Sequence, residues 1–307
     1  MRRLALLLTC VVAAALPAAL PTRPALAGPP AVADKWALLV GVNAYRGKVQ
    51  KTIGSVGDVA DVRQLLIANG WASDHILVLT DDNATAARIR EGFRWLAGHS
   101  SDASYSVFHY SGHVKQMTGD LDRDGEDKDE FLWPVDNNYI SDGEFGAAMR
   151  AVKGWAWVNV SGCEAAGFNE GVASPKRLFT ASSNEPEKSY EQPSWKNSVH
   201  TGYMVDYGML RGEADANHDG ALSITEGFRF SERLAPQMTA KQAKGAQHPY
   251  MSGGDGSEWF LAPPPPVRQQ PQQPKSQPQP GDDGRDQSTP AEDRNALVCA
   301  SDYCVYP

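Results

Sequence analysis

Apolar runs and helical periodicities alternate along the chain. Trp36-Ala37-Leu38-Leu39-Val40-Gly41-Val42 is unbroken in its apolar character, the pattern of a strand buried on both faces. Val59, Val62, Leu65 and Leu66 then recur at helical spacing, with Gly70 as the stop. His75 to Leu79 reads as a second strand. A second helix is expected to open at Asn83, with Ile89, Phe93 and Leu96 on one face and Gly98 after it. Tyr105 to Tyr110 reads as the third strand; after an acidic loop, Phe145, Met149 and Val152 mark a third helix. Trp155 to Val160 and Arg177 to Ala181 are expected as the fourth and fifth strands. Thr225 to Leu234 reads as a last helix, and Trp259-Phe260-Leu261 as a closing edge strand. Strand–helix–strand alternation predicts an α/β domain with a mostly parallel central sheet flanked by helices. In such sheets chemistry gathers beyond the carboxyl ends of the strands.

The two ends of the chain stand apart from this pattern. Residues 1–27 combine Arg2 and Arg3, a short apolar run from Leu4 to Leu16, and Ala25-Leu26-Ala27, as in a secretory signal peptide with an A-x-A cleavage site. The run is too short for a bilayer span and is followed by Pro17 and Pro21. The expectation is a secreted, extracytoplasmic protein with no membrane span after signal removal. Residues 263–307 hold 10 of the 21 prolines and a Gln-rich run, which reads as an extended tail unable to bury a core. Residues 28–262 are left as one domain. The formal charge of −8 argues against nucleic acid as a partner, because that footprint needs a basic face. The sequence leaves the oligomeric state open.

Beyond Cys10 in the signal, the chain has Cys163, Cys299 and Cys304. The two tail cysteines are expected to pair with each other in an oxidising compartment, leaving Cys163 alone in the domain as either a packed apolar residue or a reactive thiol. Its position favours reactivity. Ser161-Gly162-Cys163 follows the fourth strand, and Ser111-Gly112-His113 follows the third. A thiol needs a base to act as a nucleophile near neutral pH, and a histidine at a neighbouring strand end supplies one. The small residues Ala165, Ala166 and Gly167 would leave the thiol accessible, while Glu164 beside it would raise its pKa.

Several motifs in order resemble the caspase-like cysteine peptidases, nearest the metacaspase branch. They are Trp36 to Asn43, Gly57-Asp58-Val59-Ala60-Asp61, His109-Tyr110-Ser111-Gly112-His113, Asp129 to Asp136, Ser161-Gly162-Cys163 and Gln247-His248-Pro249. The resemblance implies a caspase-like three-layer sandwich and a cysteine endopeptidase, with Cys163 as nucleophile, His113 as its base and a peptide or protein as substrate. It also implies a pocket for basic P1 side chains, onto which Asp58 and Ser111 map. Ser161 stands where the family carries a second pocket aspartate, and Val114 where it carries glycine. Asp58 has an alternative role as cap of the helix that starts there. The rival readings are an inactive caspase-fold binding module and a calcium-binding surface protein.

One further motif is local. Asp215, Asn217, Asp219, Gly220, Ala221, Ser223 and Glu226 fit D-x-[DN]-x-[DN]-G-x₅-E. Oxygen donors from the side chains of Asp215, Asn217, Asp219, Ser223 and Glu226 and the carbonyl of Ala221 suit the hard Ca²⁺ ion, so calcium is the expected cofactor and no organic one is. Asp120 to Glu130 begins the same way but has Phe131 at the twelfth position, which excludes a standard loop.

Overall fold

The computed structural model describes residues 34–121, 125 and 127–263, together with the backbone of 298–299. The signal segment and most of the Pro/Gln-rich tail lie outside the described residues. The central sheet has six strands in the order β11-β8-β7-β3-β1-β2. They are β1 (Lys35–Gly41), β2 (Ile76–Thr80), β3 (Tyr105–Ser111), β7 (Trp155–Ser161), β8 (Arg177–Ala181) and β11 (Tyr250–Gly253). The first five are parallel, and β11 runs antiparallel on β8. One annex is the sheet β4 (Val114–Thr118), β5 (Lys128–Leu132) and β6 (Ile140–Ser141). A second joins β10 (Asn197–Ser198), β9 (Tyr190–Gln192) and β12 (Val298–Cys299) in that order.

Both faces of the central sheet are covered, which is why β1 reads as continuously apolar. Leu38 and Val40 face one core with Ile89, Phe93 and Leu96 of α2 (Ala86–His99) and Phe145 and Met149 of α3 (Asp142–Ala151). Ala37 and Leu39 face the other core. There they meet Val59, Val62 and Leu66 of α1 (Ser55–Ala68), Met204 and Val205 of a π-helical stretch Gly202–Leu210, and Phe228 of α5 (Ile224–Thr239). A single helical turn, α4 (Val199–Thr201), leads into the π-helical stretch. From β1 the chain moves outward to β2, then returns to the other side of β1 and continues through β3, β7 and β8. The order reverses between β1 and β3, the place where an open parallel sheet exposes a crevice at its carboxyl rim.

Three expectations about elements are corrected. The second helix does not open at Asn83, which sits in a 3₁₀ turn; Thr85 is the cap, its hydroxyl accepting from Arg88 N at 3.4 Å. Trp259-Phe260-Leu261 is not a strand, and the edge is β11. Trp259 is fully buried, and its carbonyl accepts from Ile224 N at 2.7 Å, so its apolar character serves the core beneath α5. The acidic loop between the third strand and α3 holds a three-stranded sheet, which its charged and polar composition conceals.

Candidate active site at the carboxyl rim

Strands β3 and β7 pair along their whole length, Ser111 opposite Ser161, and Gly112 N extends the ladder to Ser161 O at 3.0 Å. His113 and Cys163 therefore leave the sheet at equivalent positions on adjacent strands. The two loops pass so closely that a Cβ at Gly162 would lie 2.8 Å from Gly112 O and 2.7 Å from a methyl of Val114. Val114 is the buried first residue of β4, so its branched side chain packs against the loop that carries the cysteine.

His113 is held from every side. Its amide donates to the Tyr45 hydroxyl at 2.6 Å, and its carbonyl accepts from the Tyr110 hydroxyl at 2.7 Å and from Trp133 N at 3.2 Å. The ring stacks on Tyr45 with centroids 4.5 Å apart. Nε2 lies 2.7 Å from the carbonyl of Gln50. A carbonyl can only accept, so Nε2 carries the proton and Nδ1 keeps a lone pair. Nδ1 is buried with no hydrogen-bond partner. Burial lowers the His113 pKa to about 4, against the raising effect of the Gln50 carbonyl, so the imidazole is neutral at ordinary pH.

Cys163 departs from expectation. It is not a lone accessible thiol: it is disulfide-bonded and only 1% exposed. Its sulfur also receives Ser189 N at 3.4 Å. The expected pairing of Cys299 with Cys304 falls on side chains outside the described residues. Glu164 takes a left-handed conformation (φ 50°) and turns its carboxylate to Lys188. Burial nevertheless raises its pKa to about 7. The small residues after the cysteine form a 3₁₀ turn packed against β5, where a Cβ on Gly167 would fall 2.0 Å from a Glu130 oxygen.

The residues expected to line the pocket come together as a buried polar network. Asp58 does not cap α1, whose N-cap is Gly54 with no side-chain bond. The helix begins three residues earlier, which turns Asp58 inward to accept from Ser111 Oγ at 2.7 Å, Ser198 N at 3.0 Å and Asn197 Nδ2 at 3.1 Å. Ser161 joins through Ser198, hydroxyl to hydroxyl at 2.9 Å. Burial is the largest influence on Asp58 and raises its pKa to about 6, with its hydrogen bonds pulling the other way. Sequence reasoning missed a second carboxylate here. Glu191 on β9 accepts from Gly54 N at 2.7 Å and Ile53 N at 2.9 Å, at the start of α1. Burial, helped by the nearby charge of Asp58 and opposed by the two amides, raises its pKa to about 7. Glu191 lies in a polar stretch with no periodicity, and only folding brings β9 back to the rim.

The acidic loop at 215–226 lies away from this rim, ahead of α5. Asp215, Asn217 and Asp219 turn inward onto the loop's own amides: Gly220 N donates to Asp215 at 3.0 Å, Asp219 N to Asn217 at 2.8 Å and Ala221 N to Asp219 at 2.8 Å. Ser223 and Glu226 instead form a capping box on α5. Among the described residues no three His, Cys, Asp or Glu side chains converge as a metal-holding group. The donor set fits Ca²⁺ in type, but Glu226 would have to leave its cap to complete it.

The fold and this rim define a caspase-like α/β domain. Its likeness to protein GSU0716 from Geobacter sulfurreducens, with TM-score 0.54 over 72% of this chain and 94% of that one, is a likeness of fold at 18% identity. Residues 35–157 match the metacaspase, peptidase C14 domain family. It is 38% identical over 122 residues to Metacaspase-1 of Candida albicans and 36% over 110 residues to Metacaspase-3 of Arabidopsis thaliana. Those alignments take in 35% and 34% of this chain and 27% and 30% of the relatives, so less than a third of each relative is spanned. The matched family segment includes Asp58, Ser111 and His113 and ends before Cys163.

Proposed function

We propose that the chain is an exported cysteine endopeptidase in which Cys163 attacks the peptide carbonyl and His113 manages the proton. The observation that carries this reading is the pairing of two strand ends that deliver a histidine and a cysteine to one rim, the histidine with its Nδ1 lone pair uncommitted. In the reduced enzyme Nδ1 takes the thiol proton and the thiolate adds to the carbonyl carbon. The Cys163 amide serves as a donor to the developing oxyanion. The C–N bond then breaks, the amine leaves with the proton from His113, and water hydrolyses the thioester to restore the thiol.

Asp58 and Glu191 support a preference for Arg or Lys at P1. Among the described residues no Lys or Arg forms a salt bridge with either, and their mutual repulsion would be relieved by a cationic side chain. Glu191 thus takes the part that Ser161 cannot. The 215–226 loop is proposed to bind Ca²⁺ through Asp215, Asn217, Asp219, the Ala221 carbonyl, Ser223 and Glu226, which would tie the start of α5 to the loop before it.

A peptide library incubated with the reduced protein in millimolar Ca²⁺ tests the reading. Cleavage after Arg or Lys, abolished in His113→Ala, is expected; cleavage after Asp would sink the pocket assignment. The closed, disulfide-bonded state of Cys163 favours one competing reading, a caspase-fold binding module. It requires that no peptide is cut even when Cys163 is shown to be a free thiol.

A further inference from the structure

We infer that Gln247 is a positioning residue, a buried carboxamide clamp that keeps the Cys163 turn in register with the carboxylates of the P1 rim. The use of that register rests on the peptidase reading; the clamp does not. Gln247 opens the Gln247-His248-Pro249 segment, which has no part in the dyad or the rim, yet it is fully buried. Its side chain spans two loops. Nε2 donates to the Ser182 carbonyl at 2.8 Å, and Oε1 accepts from Tyr190 N at 2.9 Å. A backbone amide can only donate and a carbonyl can only accept, so the two partners fix which way the carboxamide points. Gln247 is also held from behind, its own N–H donating to Thr239 Oγ1 at 2.8 Å at the end of α5.

Each partner leads to one half of the site. On one side is the turn after β7. Ser182 Oγ accepts from Gly162 N at 2.9 Å and donates to Gly162 O at 2.8 Å. Ser183 Oγ donates to the same carbonyl at 3.0 Å and accepts from Ala165 N at 3.2 Å. Cys163 therefore sits inside a turn pinned before and after it by two adjacent serines. On the other side is β9. Tyr190 follows Ser189, whose amide meets the Cys163 sulfur at 3.4 Å, and precedes Glu191. Ser198, opposite Glu191 on β10, donates its amide to Asp58 at 3.0 Å. His248 adds a second tie. Its amide donates to the Glu187 carboxylate at 2.8 Å, and the Glu187 carbonyl accepts from Glu164 N at 2.8 Å. One carboxamide thus sets the distance between the loop that shapes the nucleophile turn and the strand that carries the P1 charge. Misplacing reacting groups by about 1 Å costs on the order of 100-fold in rate, a loss felt by a seated substrate and not by a small reagent that meets the thiol alone.

The full chain, reduced with dithiothreitol and kept in millimolar Ca²⁺, tests this without needing turnover. Two reagents alkylate Cys163, read at that residue by mass spectrometry. Iodoacetamide needs only a reachable thiolate; a peptidyl-arginine chloromethyl ketone also needs its arginine seated at the rim. Gln247→Leu should slow the arginine reagent by about tenfold or more and leave the iodoacetamide rate within about twofold. Parallel loss of both rates, the mark of a merely structural role, or no loss of either, overturns the inference. Gln247→Glu is the conservative variant. Its protonated carboxyl can donate to Ser182 O and accept from Tyr190 N, whereas its ionised form turns an oxygen toward an oxygen. Relative to wild type at each pH, the variant's arginine-reagent rate should be near one at about pH 5.5 and fall about tenfold by about pH 8. A flat ratio overturns the inference, and this series decides if Gln247→Leu does not fold. A wild type that reacts no faster with the arginine reagent than with its neutral analogue overturns it together with the P1 pocket. Selective labelling that depends on Gln247, with no peptide cleaved, leaves the clamp standing and ends the peptidase reading.

Discussion

The two strand ends that make up the site are built in opposite ways. At the β3 end, His113 is fixed by neutral groups: two tyrosine hydroxyls, a tryptophan amide, a backbone carbonyl and a stacked ring. At the β7 end, Cys163 is fixed by a covalent bond, its sulfur meets the backbone of Ser189, and the next residue, Glu164, is a buried carboxylate paired with Lys188. The first arrangement is permanent, because nothing in it titrates or oxidises under ordinary conditions. The second is conditional on redox state and charge. His113 is thus held ready while the state of Cys163 is set by chemistry, and variants at each end should behave accordingly.

The largest effects should come from the dyad. In reducing buffer, Cys163→Ala and His113→Ala should each lower kcat/KM on a basic-P1 peptide by about 10³-fold or more, with the double variant no worse than either single one, as for residues acting as a unit. Additive losses would show that the two ends work independently. Next is the carboxylate rim. Asp58→Asn should cost about 10–100-fold in kcat/KM for Arg at P1 while sparing thiol alkylation at Cys163, a readout that separates substrate binding from nucleophile integrity. Ser161→Asp should raise the preference for Arg by a smaller factor, because Glu191 already supplies a second negative charge.

A subtler variant probes the permanent end alone. Tyr45→Phe leaves the buried His113 amide without its acceptor, at a cost of about 1–3 kcal/mol in stability. The stacked ring survives, so kcat should fall only severalfold with KM unchanged. A large rise in KM instead would place Tyr45 in substrate binding.

Much of the β3 end was legible in the sequence. Hydrophobic continuity located β1, β3 and β7, and the loops after two of them pointed to His113 and Cys163. Asp58 and Ser111 were found through the motifs they share with a family, although periodicity alone would have made Asp58 a helix cap. The β7 end was hidden for physical reasons. Glu191 and Ser198 belong to strands of three and two residues, too short to carry a pattern, and they reach the rim only by pairing across 137 residues of sequence separation with Gly54 and 140 with Asp58. Cysteine counting failed as well. It left Cys163 as a lone thiol, whereas Cys163 is disulfide-bonded. Trp259 was misread because three apolar residues suit a buried loop as well as a strand.

The smallest effect concerns pH and locates the conditional end by its charge. Burial raises Glu164 and Glu191 to about 7, and Glu130, on β5 against Gly167, to about 8. A carboxyl group whose folded pKa exceeds its unfolded value binds its proton more tightly when folded. Stability is therefore lost as pH rises from the unfolded pKa through the folded one. The neutral imidazole of His113, lowered to about 4, works in the other direction: its contribution grows as pH rises toward 6.5 and is constant above that. Of these four groups, only the carboxylates still titrate between pH 6.5 and 8. The Tm of the protein should fall over that interval by about 3–6 °C, the equivalent of about 1–2 kcal/mol for a domain of this size. Glu130→Gln should flatten the decline more than any change at the β3 end, because Glu130 has the highest folded pKa of the three and one oxygen buried without a partner. A Tm that rises through the interval, or a decline untouched by Glu130→Gln but removed by His113→Gln, would put the titrating charge at the wrong strand end and break the contrast between the two.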